Sequence, residues 1–217
     1  MKSNDVKNSI FFKGISFFSC ILFFSCNTLP YVNELHNFNY SKFFTQYSNY
    51  KATILEFPVG SAMGDGYYIA QRFGEKNPKY SNYFHLGEDW NHLSGKDSDL
   101  DAPVFAIGNG VVVYSKDLGK NWGYVVAIVH KLEKNHITDS EYIESLYAHL
   151  RFPNIKVGEA VRRSQLIGYI GNAYGSYSSH LHFELRENPN LPVGGGYSDT
   201  LEGFLDPSSF IKTYNKK

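Results

Sequence analysis

The chain has 217 residues, of which 42% are hydrophobic, which suits one globular domain with additions and excludes a multi-span membrane protein. Its 21 basic and 21 acidic residues balance, and no polybasic run or basic stripe is visible. Nucleic-acid binding requires clustered Lys and Arg, so nucleic acid is excluded as a partner.

Residues 1–26 resemble a bacterial export signal. Three lysines precede an apolar run over residues 14–24, which has about the length of a signal h-region and is too short to span a bilayer. Ser25 before Cys26 resembles a relaxed lipobox, although a strict one has Leu where Phe23 stands. We expect cleavage before Cys26 and its acylation, hence a lipoprotein in the inner or outer membrane facing the periplasm. The alternative is an uncleaved or ordinarily cleaved signal.

Acylation of Cys26 would leave no cysteine for a disulfide, because Cys20 departs with the leader. The mature chain would then carry 18 basic and 20 acidic residues. Its fold would depend on packing alone.

The rest of the chain divides into a tether and a catalytic-type domain. Residues 27–52 lack firm periodicity and predict a tether, with one short helix around residues 41–50. Residues 53–217 form the domain, in which short β-branched and aromatic runs alternate with turn residues. The predicted strands are 53–57, 111–115, 124–130, 166–170 and 180–186.

The fold class expected is therefore mostly β, an antiparallel sheet or sandwich whose groove holds the functional site, with few short helices. The charged stretch 131–141 is predicted to be an exposed hairpin connection. Only residues 206–213 carry a helix start, with Asp206 as N-cap and Pro207 at the first helical position.

His180 and His182 lie two apart on a predicted strand, so both imidazoles point to the same face. Glu184 and Arg186 continue that face, and four titratable side chains in a row do not suit a hydrophobic core unless they are paired. The pattern favours a functional site.

A second motif, His85 to Asp89, places a carboxylate four residues after an imidazole, and Gly87 allows the backbone to bend between them. A lone histidine, His149, lies between the two motifs. Imidazole and carboxylate at such spacings suit Zn²⁺, which takes nitrogen and oxygen ligands in a tetrahedron and keeps one position for water at a catalytic site. The residues themselves predict a hydrolytic metal site.

The chain from about Phe57 to Arg186 resembles the lysostaphin or LytM type of zinc endopeptidase, peptidase family M23. The resemblance rests on these segments in order: Gln71–Gly74, His85–Asp89, Ala102–Val112, Trp122–His130, Leu146–Leu150, Ile167–Gly171 and His180–Arg186. Two departures are Trp90, where a smaller apolar residue is usual, and Ser178-Ser179, where the family often has Gly-Pro. Both are expected to affect the groove wall more than the metal.

The resemblance implies one zinc ion per chain, bound by His85, Asp89 and His182. It leaves His149 and His180 as unligated catalytic histidines. The implied activity is hydrolysis of stem or cross-bridge peptide bonds in bacterial cell-wall peptidoglycan. The alternative is a catalytically silent module that binds cell wall or activates another hydrolase. Implied partners are peptidoglycan peptides, the membrane through lipidated Cys26, and a regulatory protein.

Other ionisable residues near the motifs are expected to have lesser roles. Glu88 should point away from Asp89 toward solvent or a salt bridge, and Glu184 should orient a metal ligand or pair with an arginine. His130 is expected near the groove without a role. Solvation is expected for the remaining histidines, His36, His92 and His136.

Aromatic residues beside the motifs are expected to line the groove in part; they are Tyr83, Trp90, Trp122, Tyr124, Tyr174 and Tyr177.

The stretch 155–168 looks like the turn-rich segments of biotinyl or lipoyl carrier domains. It offers no lysine in a tight turn between matched strands, so carrier function is not expected.

Overall fold

A computed structural model describes residues 31–133 and 137–216, which form a β-rich domain with helices near both ends of the described part. The predicted signal and Cys26, and also His136, lie outside the described residues. The helices are α1 Tyr40–Gln46, α2 Pro207–Tyr214 and a 3-10 turn Pro78–Tyr80. The strands are β1 Tyr67–Gln71, β2 Lys76–Asn77, β3 Tyr83–His85, β4 Glu88–His92, β5 Pro103–Phe105, β6 Gly110–Asp117, β7 Tyr124–Lys131, β8 Tyr142–Pro153, β9 Ala160–Val161, β10 Leu166–Ile170, β11 Leu181–Arg186, β12 Tyr197–Ser198 and β13 Phe204–Leu205.

Two antiparallel sheets account for these strands. The larger has the order β1-β4-β11-β8-β7-β6-β9, with β10 pairing with β5 and β8 and β13 pairing with β11. The smaller has the order β12-β3-β2. The predicted fold class, mostly β and antiparallel with few short helices, is confirmed.

The larger sheet is covered on both faces. Along β7, Val126 and Ile128 belong to one hydrophobic cluster, whereas Val125 and Val129 belong to the other. Because both faces are buried, this strand reads as a continuous apolar run rather than an alternating one. Each fully buried Val or Ile contributes about 1.5–3 kcal/mol relative to an exposed one.

Most predicted elements are confirmed. Strands β6, β7 and β10 coincide with predicted runs, β11 begins at Leu181 rather than His180, and α2 begins after Asp206, whose side chain accepts from the Ser209 N–H at 2.9 Å. The stretch 131–141 does connect the antiparallel strands β7 and β8, as expected.

The prediction of a strand over 53–57 is wrong. Ala52 makes one isolated bridge to Leu132, and the chain then continues without regular structure. Leu55 and Phe57 are apolar because they pack into the core from a coil, while Ile54 before them is exposed and Glu56 between them is partly exposed. Alternating polarity in a short stretch shows which side chains are buried, but it does not require a strand. Irregular backbone at the edge of the core can bury the same side chains.

Residues 31–52, the described part of the stretch in which a tether was expected, lie against the larger sheet. Helix α1 buries Phe44 completely in the cluster that contains Val113 and Trp122. Asn39 caps this helix by accepting from the Lys42 N–H at 2.8 Å. In the part of the chain that the structure describes, no helix is long and apolar enough to cross a membrane.

The step from β3 to β4 carries the chain from the smaller sheet to the larger one. It bends at Leu86 and Gly87. A Cβ atom on Gly87 would lie 2.4 Å from the Phe183 carbonyl oxygen, so glycine is needed there because β11 approaches so closely. His85 and Asp89 thereby come from different sheets and meet where the two sheets join.

Candidate metal centre and groove

The structure brings all five residues singled out by the sequence into one groove: His85, Asp89, His149, His180 and His182. The sheet register explains much of this. Asp89 of β4 lies opposite His182 of β11, and His182 lies opposite Ala148 of β8, the residue before His149. The end of β3 supplies His85, and His180 immediately precedes β11.

Three donor atoms converge at the centre of this groove. His182 Nδ1 lies 2.9 Å from Asp89 Oδ1, His85 Nε2 lies 3.1 Å from His182 Nδ1, and His85 Nε2 lies 3.3 Å from Asp89 Oδ1. Zn–N and Zn–O bonds of about 2.0–2.1 Å place neighbouring ligands of a tetrahedron roughly 3.3 Å apart. The triad has nearly that spacing.

The hydrogen bonds behind the triad support its use as a ligand set. His85 Nδ1 lies 3.3 Å from the Arg72 carbonyl oxygen, and His182 Nε2 lies 2.9 Å from Glu184 Oε1. When each ring is neutral, its proton therefore lies on this nitrogen, which leaves lone pairs on His85 Nε2 and His182 Nδ1. Two lone pairs facing each other and a carboxylate oxygen repel one another unless a cation lies between them. The donor set fits a divalent metal ion such as zinc.

Behind His182, a buried network of charged groups continues away from the groove. Arg186 is fully buried and donates from all five of its N–H bonds, to Glu184, Glu144 and the carbonyl oxygens of Pro192 and Val193. Burial alone would raise the pKa of Glu184, but the Arg186 guanidinium and His182 lower it to about 2. Glu184 thus stays ionised and accepts a hydrogen bond from His182. The expected pairing of Glu184 with an arginine is confirmed, and the orientation of a metal ligand by Glu184 stays a prediction.

The electrostatics of the triad follow from its close packing. Burial would raise the pKa of Asp89, but His85 and His182 hold it well below the usual range. Burial would lower the pKa of His182, yet its hydrogen bonds to Asp89 and Glu184 raise it to about 9. Without a metal ion, His182 therefore holds a proton on both ring nitrogens at pH 7, and a metal ion bound at Nδ1 would take the place of the proton that faces Asp89.

His149 faces the triad from a distorted position in β8. Tyr147 pairs with Val126 and Leu150 pairs with Tyr124, so two residues of β8 oppose one residue of β7. Such a bulge re-aims a side chain. His149 has φ 62°, in the left-handed region, and its backbone N–H donates to the Trp122 carbonyl oxygen at 2.8 Å.

His149 and His180 are held as a pair with matching tautomers. Their ring centroids are 4.7 Å apart, and His149 lies 5.7 Å from His182. Nδ1 of His149 lies 3.2 Å from the Trp122 carbonyl oxygen, and Nδ1 of His180 lies 2.8 Å from that of Ser178. Protons on Nδ1 leave the lone pair on Nε2 in both rings. Burial, with His180 and His182 nearby, lowers the pKa of His149 well below the usual range, so it is neutral at pH 7.

Aromatic side chains line the groove, in part as expected. Trp122 and Tyr177 are among its lining residues, and the Tyr177 ring lies 5.0 Å from that of His149. Trp90 instead packs in the core against Phe57 at 5.1 Å, so the expectation that it shapes the groove wall is wrong. Its indole N–H donates to Glu88, within the same strand.

Two lining aromatics were missed by the sequence analysis. The Tyr197 ring lies 5.1 Å from His85 and 4.5 Å from Tyr80, and its hydroxyl donates to Gln71 at 2.7 Å. The run of glycines before Tyr197 is the signal available in the sequence, because glycine readily adopts the positive φ found at Gly194 and Gly196. A Cβ atom on Gly196, which has φ +73°, would lie 3.6 Å from His182 Cε1.

Four residues given lesser roles are placed as follows. Glu88 points away from Asp89, as expected, but it is buried and accepts from Ser208 at 2.8 Å rather than meeting solvent or a cation. Burial raises its pKa. His36 is partly buried rather than solvated and lies 2.7 Å from the Pro189 carbonyl oxygen. His130 is fully buried between Asn109 and Ser145, and His92 stacks edge-on against Tyr67.

The antiparallel strand order, with this donor triad in a groove, defines a β-sheet domain with a candidate divalent metal site. The model of the family described as peptidase family M23 matches residues 83–193, slightly more than half of the chain. This chain therefore belongs to peptidase family M23, as its resemblance to lysostaphin-type enzymes predicted.

Three relatives illustrate the likeness. The DD-carboxypeptidase/endopeptidase Mpg of Neisseria meningitidis is 34% identical over 93 residues, which are 42% of this chain and 19% of Mpg. The chain thus spans about a fifth of the length of the curated relatives it matches. Lysostaphin from Staphylococcus simulans, in its NMR solution structure, has a TM-score of 0.51 at 24% identity over 70% of this chain and 52% of its own, so the fold is shared. A zinc-containing peptidase from Vibrio cholerae has a TM-score of 0.47 at 25% identity, over 68% of this chain and 41% of its own.

Proposed function

We propose that the protein is a zinc-dependent endopeptidase that hydrolyses stem or cross-bridge peptide bonds of bacterial cell-wall peptidoglycan. The observation that carries the proposal is the triad of His85, Asp89 and His182, whose donor atoms lie 2.9–3.3 Å apart beside the imidazoles of His149 and His180. Membership of peptidase family M23 supports the same activity. Mpg, a DD-carboxypeptidase/endopeptidase, supports a cell-wall peptide as substrate.

The residues divide the chemistry between them. His85, Asp89 and His182 would hold the ion, which when bound acts as a Lewis acid and lowers the pKa of a coordinated water to about 7. One of His149 and His180 accepts the proton of the attacking water at Nε2. Either can then donate a proton at Nε2 to the departing amine. The depressed pKa of His149 keeps its imidazole neutral and ready to accept.

Access for a substrate also supports catalysis over a silent module. The side chains of Asp89 and His180 retain 17% and 13% of their exposure, so solvent reaches both the triad and the histidine pair. Asn121 and Gly195 lie along the same groove with the aromatic residues, which suits an extended peptide.

The test is zinc analysis of the purified protein followed by digestion of purified peptidoglycan with and without chelator. We expect about one zinc per chain and cleavage that chelator abolishes. His149→Ala and His180→Ala should retain zinc and lose cleavage, while the control His92→Ala retains both. If the protein binds no zinc, or if the zinc-loaded protein cleaves none of the peptidoglycans tested, the proposed enzymatic activity is wrong and the catalytically silent module is favoured.

We also propose that the enzyme is an exported lipoprotein anchored through Cys26. Support comes from the apolar run over 14–24 and the Ser25-Cys26 pair in the sequence. Mass spectrometry of the mature protein should find an acylated cysteine at its N-terminus. Cys26→Ala should release the protein from membranes, and an unmodified N-terminus at any other residue would contradict the anchor.

A further inference from the structure

The segment before α1 runs beside the loop that leads into one side of the groove. Residues 32–36 are termed the strap, residues 189–194 the linking loop, and residues 195–197 the groove wall. The Val32 N–H donates to the Gly194 carbonyl oxygen at 2.9 Å, and the Gly194 N–H donates back to Val32 at 2.9 Å. This reciprocal pair is an antiparallel β-bridge.

Further bonds fix the strap along the loop. The Val193 N–H donates to the Glu34 carbonyl oxygen at 3.0 Å, and His36 Nε2 donates to that of Pro189 at 2.7 Å. His36 Nε2 also lies 3.5 Å from Glu144. The strap is itself held to the sheet, because the Glu34 carboxylate pairs with Lys116 at 2.7 Å and accepts from the Tyr114 hydroxyl at 2.9 Å.

The linking loop passes this restraint to the groove wall. Gly195, Gly196 and Tyr197 all line the groove, and they follow Gly194 directly in the chain. The Gly196 carbonyl oxygen accepts from the Leu86 N–H at 2.9 Å, one residue after His85. Glycines tolerate many backbone conformations, so the position of this wall depends on contacts outside it. Arg186 holds the loop from the domain side and the strap holds it from the other.

We infer that the strap is a positioning element of the substrate groove: it fixes the groove wall through the backbone of the linking loop. The strap lies outside residues 83–193, the stretch matched by the family model, and was expected to belong to a tether. A tether could be altered without effect on KM for the peptide, whereas a positioning element of the groove could not. The inference rests on the proposed function, since it assigns the groove to a peptide substrate.

The test uses the full chain with a matched pair of variants at one position. Val32→Pro removes the N–H that donates to Gly194, while Val32→Ala trims the side chain and keeps that bond. Val32→Pro should raise KM for peptidoglycan peptides about tenfold, the effect of losing one or two backbone hydrogen bonds, with zinc content unchanged and kcat within about twofold. Val32→Ala should behave like the wild type. His36→Ala should raise KM, and His36→Gln, which keeps a donor, should restore it in part.

Hydrogen exchange gives a readout that needs no activity. In Val32→Pro the amides of residues 193–194 and of Leu86 should exchange faster than in Val32→Ala, while those of β7 stay protected. Unchanged KM together with unchanged exchange, or loss of zinc in Val32→Pro, would overturn the inference. A wild-type protein that binds zinc but cleaves nothing would instead overturn the proposed function, and the exchange comparison would still decide the role of the strap.

Discussion

The Glu184 carboxylate lies 2.9 Å from Nε2 of His182 and accepts a hydrogen bond from the N–H of that ring. This contact turns Nδ1 of His182 toward Asp89 and makes the imidazole more basic. Glu184 itself is held rigidly, since Arg186 donates to its other oxygen at 2.6 Å and 2.8 Å. The groove therefore depends on a buried carboxylate that never reaches its surface.

Glu184→Gln is expected to weaken zinc binding about 10- to 100-fold, as found for residues that orient metal-bound histidines. The amide can still accept from His182, but it carries no charge and removes one of the two carboxylates that Arg186 contacts. Competition with a chelator of known affinity measures the change. Glu202→Gln, on an exposed turn, is the matched control. Equal zinc affinity in the two variants would refute the orienting role.

The backbone of His149 yields a prediction about stability. Its φ of 62° is unfavourable for any residue with a Cβ atom, and the bulge holds it there. We therefore expect His149→Gly to be more stable than His149→Ala by about 1 kcal/mol, since glycine adopts this conformation without steric cost. Urea unfolding of the two variants tests this in chelator. Both should lack activity, so a difference in stability isolates backbone strain from catalysis. Alanine proving as stable as glycine would show that the bulge relaxes.

The residues of the candidate metal site could be predicted because they occur in short local motifs of histidine and aspartate. The spacing of His180 and His182 places both on one face of a strand, and Gly87 allows a bend between His85 and Asp89, so the two motifs predicted a metal site. The choice of His85, Asp89 and His182 as its ligands came from family resemblance. The roles of His149 and His180 came from family resemblance, since spacing does not distinguish a ligand from a proton carrier.

Features that depend on backbone contacts between distant parts of the chain could not be predicted from sequence motifs. The strap bonds mainly through main-chain atoms of Val32 and Glu34, which any sequence can supply. Tyr197 approaches His85 only because β12 pairs with β3 in a separate sheet. Arg186 was recognised as a pairing partner, but the carbonyl oxygens that it binds belong to a loop without periodicity.

The buried His130 should make stability fall in mild acid. Burial lowers its pKa from 6.5 to about 4. Between these values the unfolded chain binds a proton that the folded protein excludes, so the free energy of unfolding decreases as the pH falls. The loss should approach about 3 kcal/mol by pH 4, at about 1.36 kcal/mol per pH unit. The contribution of neutral, buried His130 to the free energy of unfolding is fully present above pH 6.5.

Urea unfolding of the metal-free protein at pH 7 and pH 5 measures this effect, with His130→Gln as the comparison. The variant shares every other titrating group, so the difference between the two pH dependences reports His130 alone. We expect the wild type to lose about 2 kcal/mol more than the variant over this interval. If the wild type and His130→Gln show the same pH dependence, the pKa of His130 in the folded protein is not lowered.

Ser179 holds the start of β11 where His180 projects into the groove. It is fully buried; its N–H donates to Asp97 at 2.7 Å, and its hydroxyl donates to the buried Asp99 carboxylate. Ser179→Ala should therefore lower kcat about tenfold, equivalent to about 1.4 kcal/mol, with zinc content and KM kept near the wild type. Ser178→Ala is the control, because the exposed Ser178 supports His180 through its backbone carbonyl oxygen. If both variants turn over substrate equally, the hydroxyl bond to Asp99 has no part in placing His180; if Ser179→Ala loses zinc, its effect falls on the ligands instead.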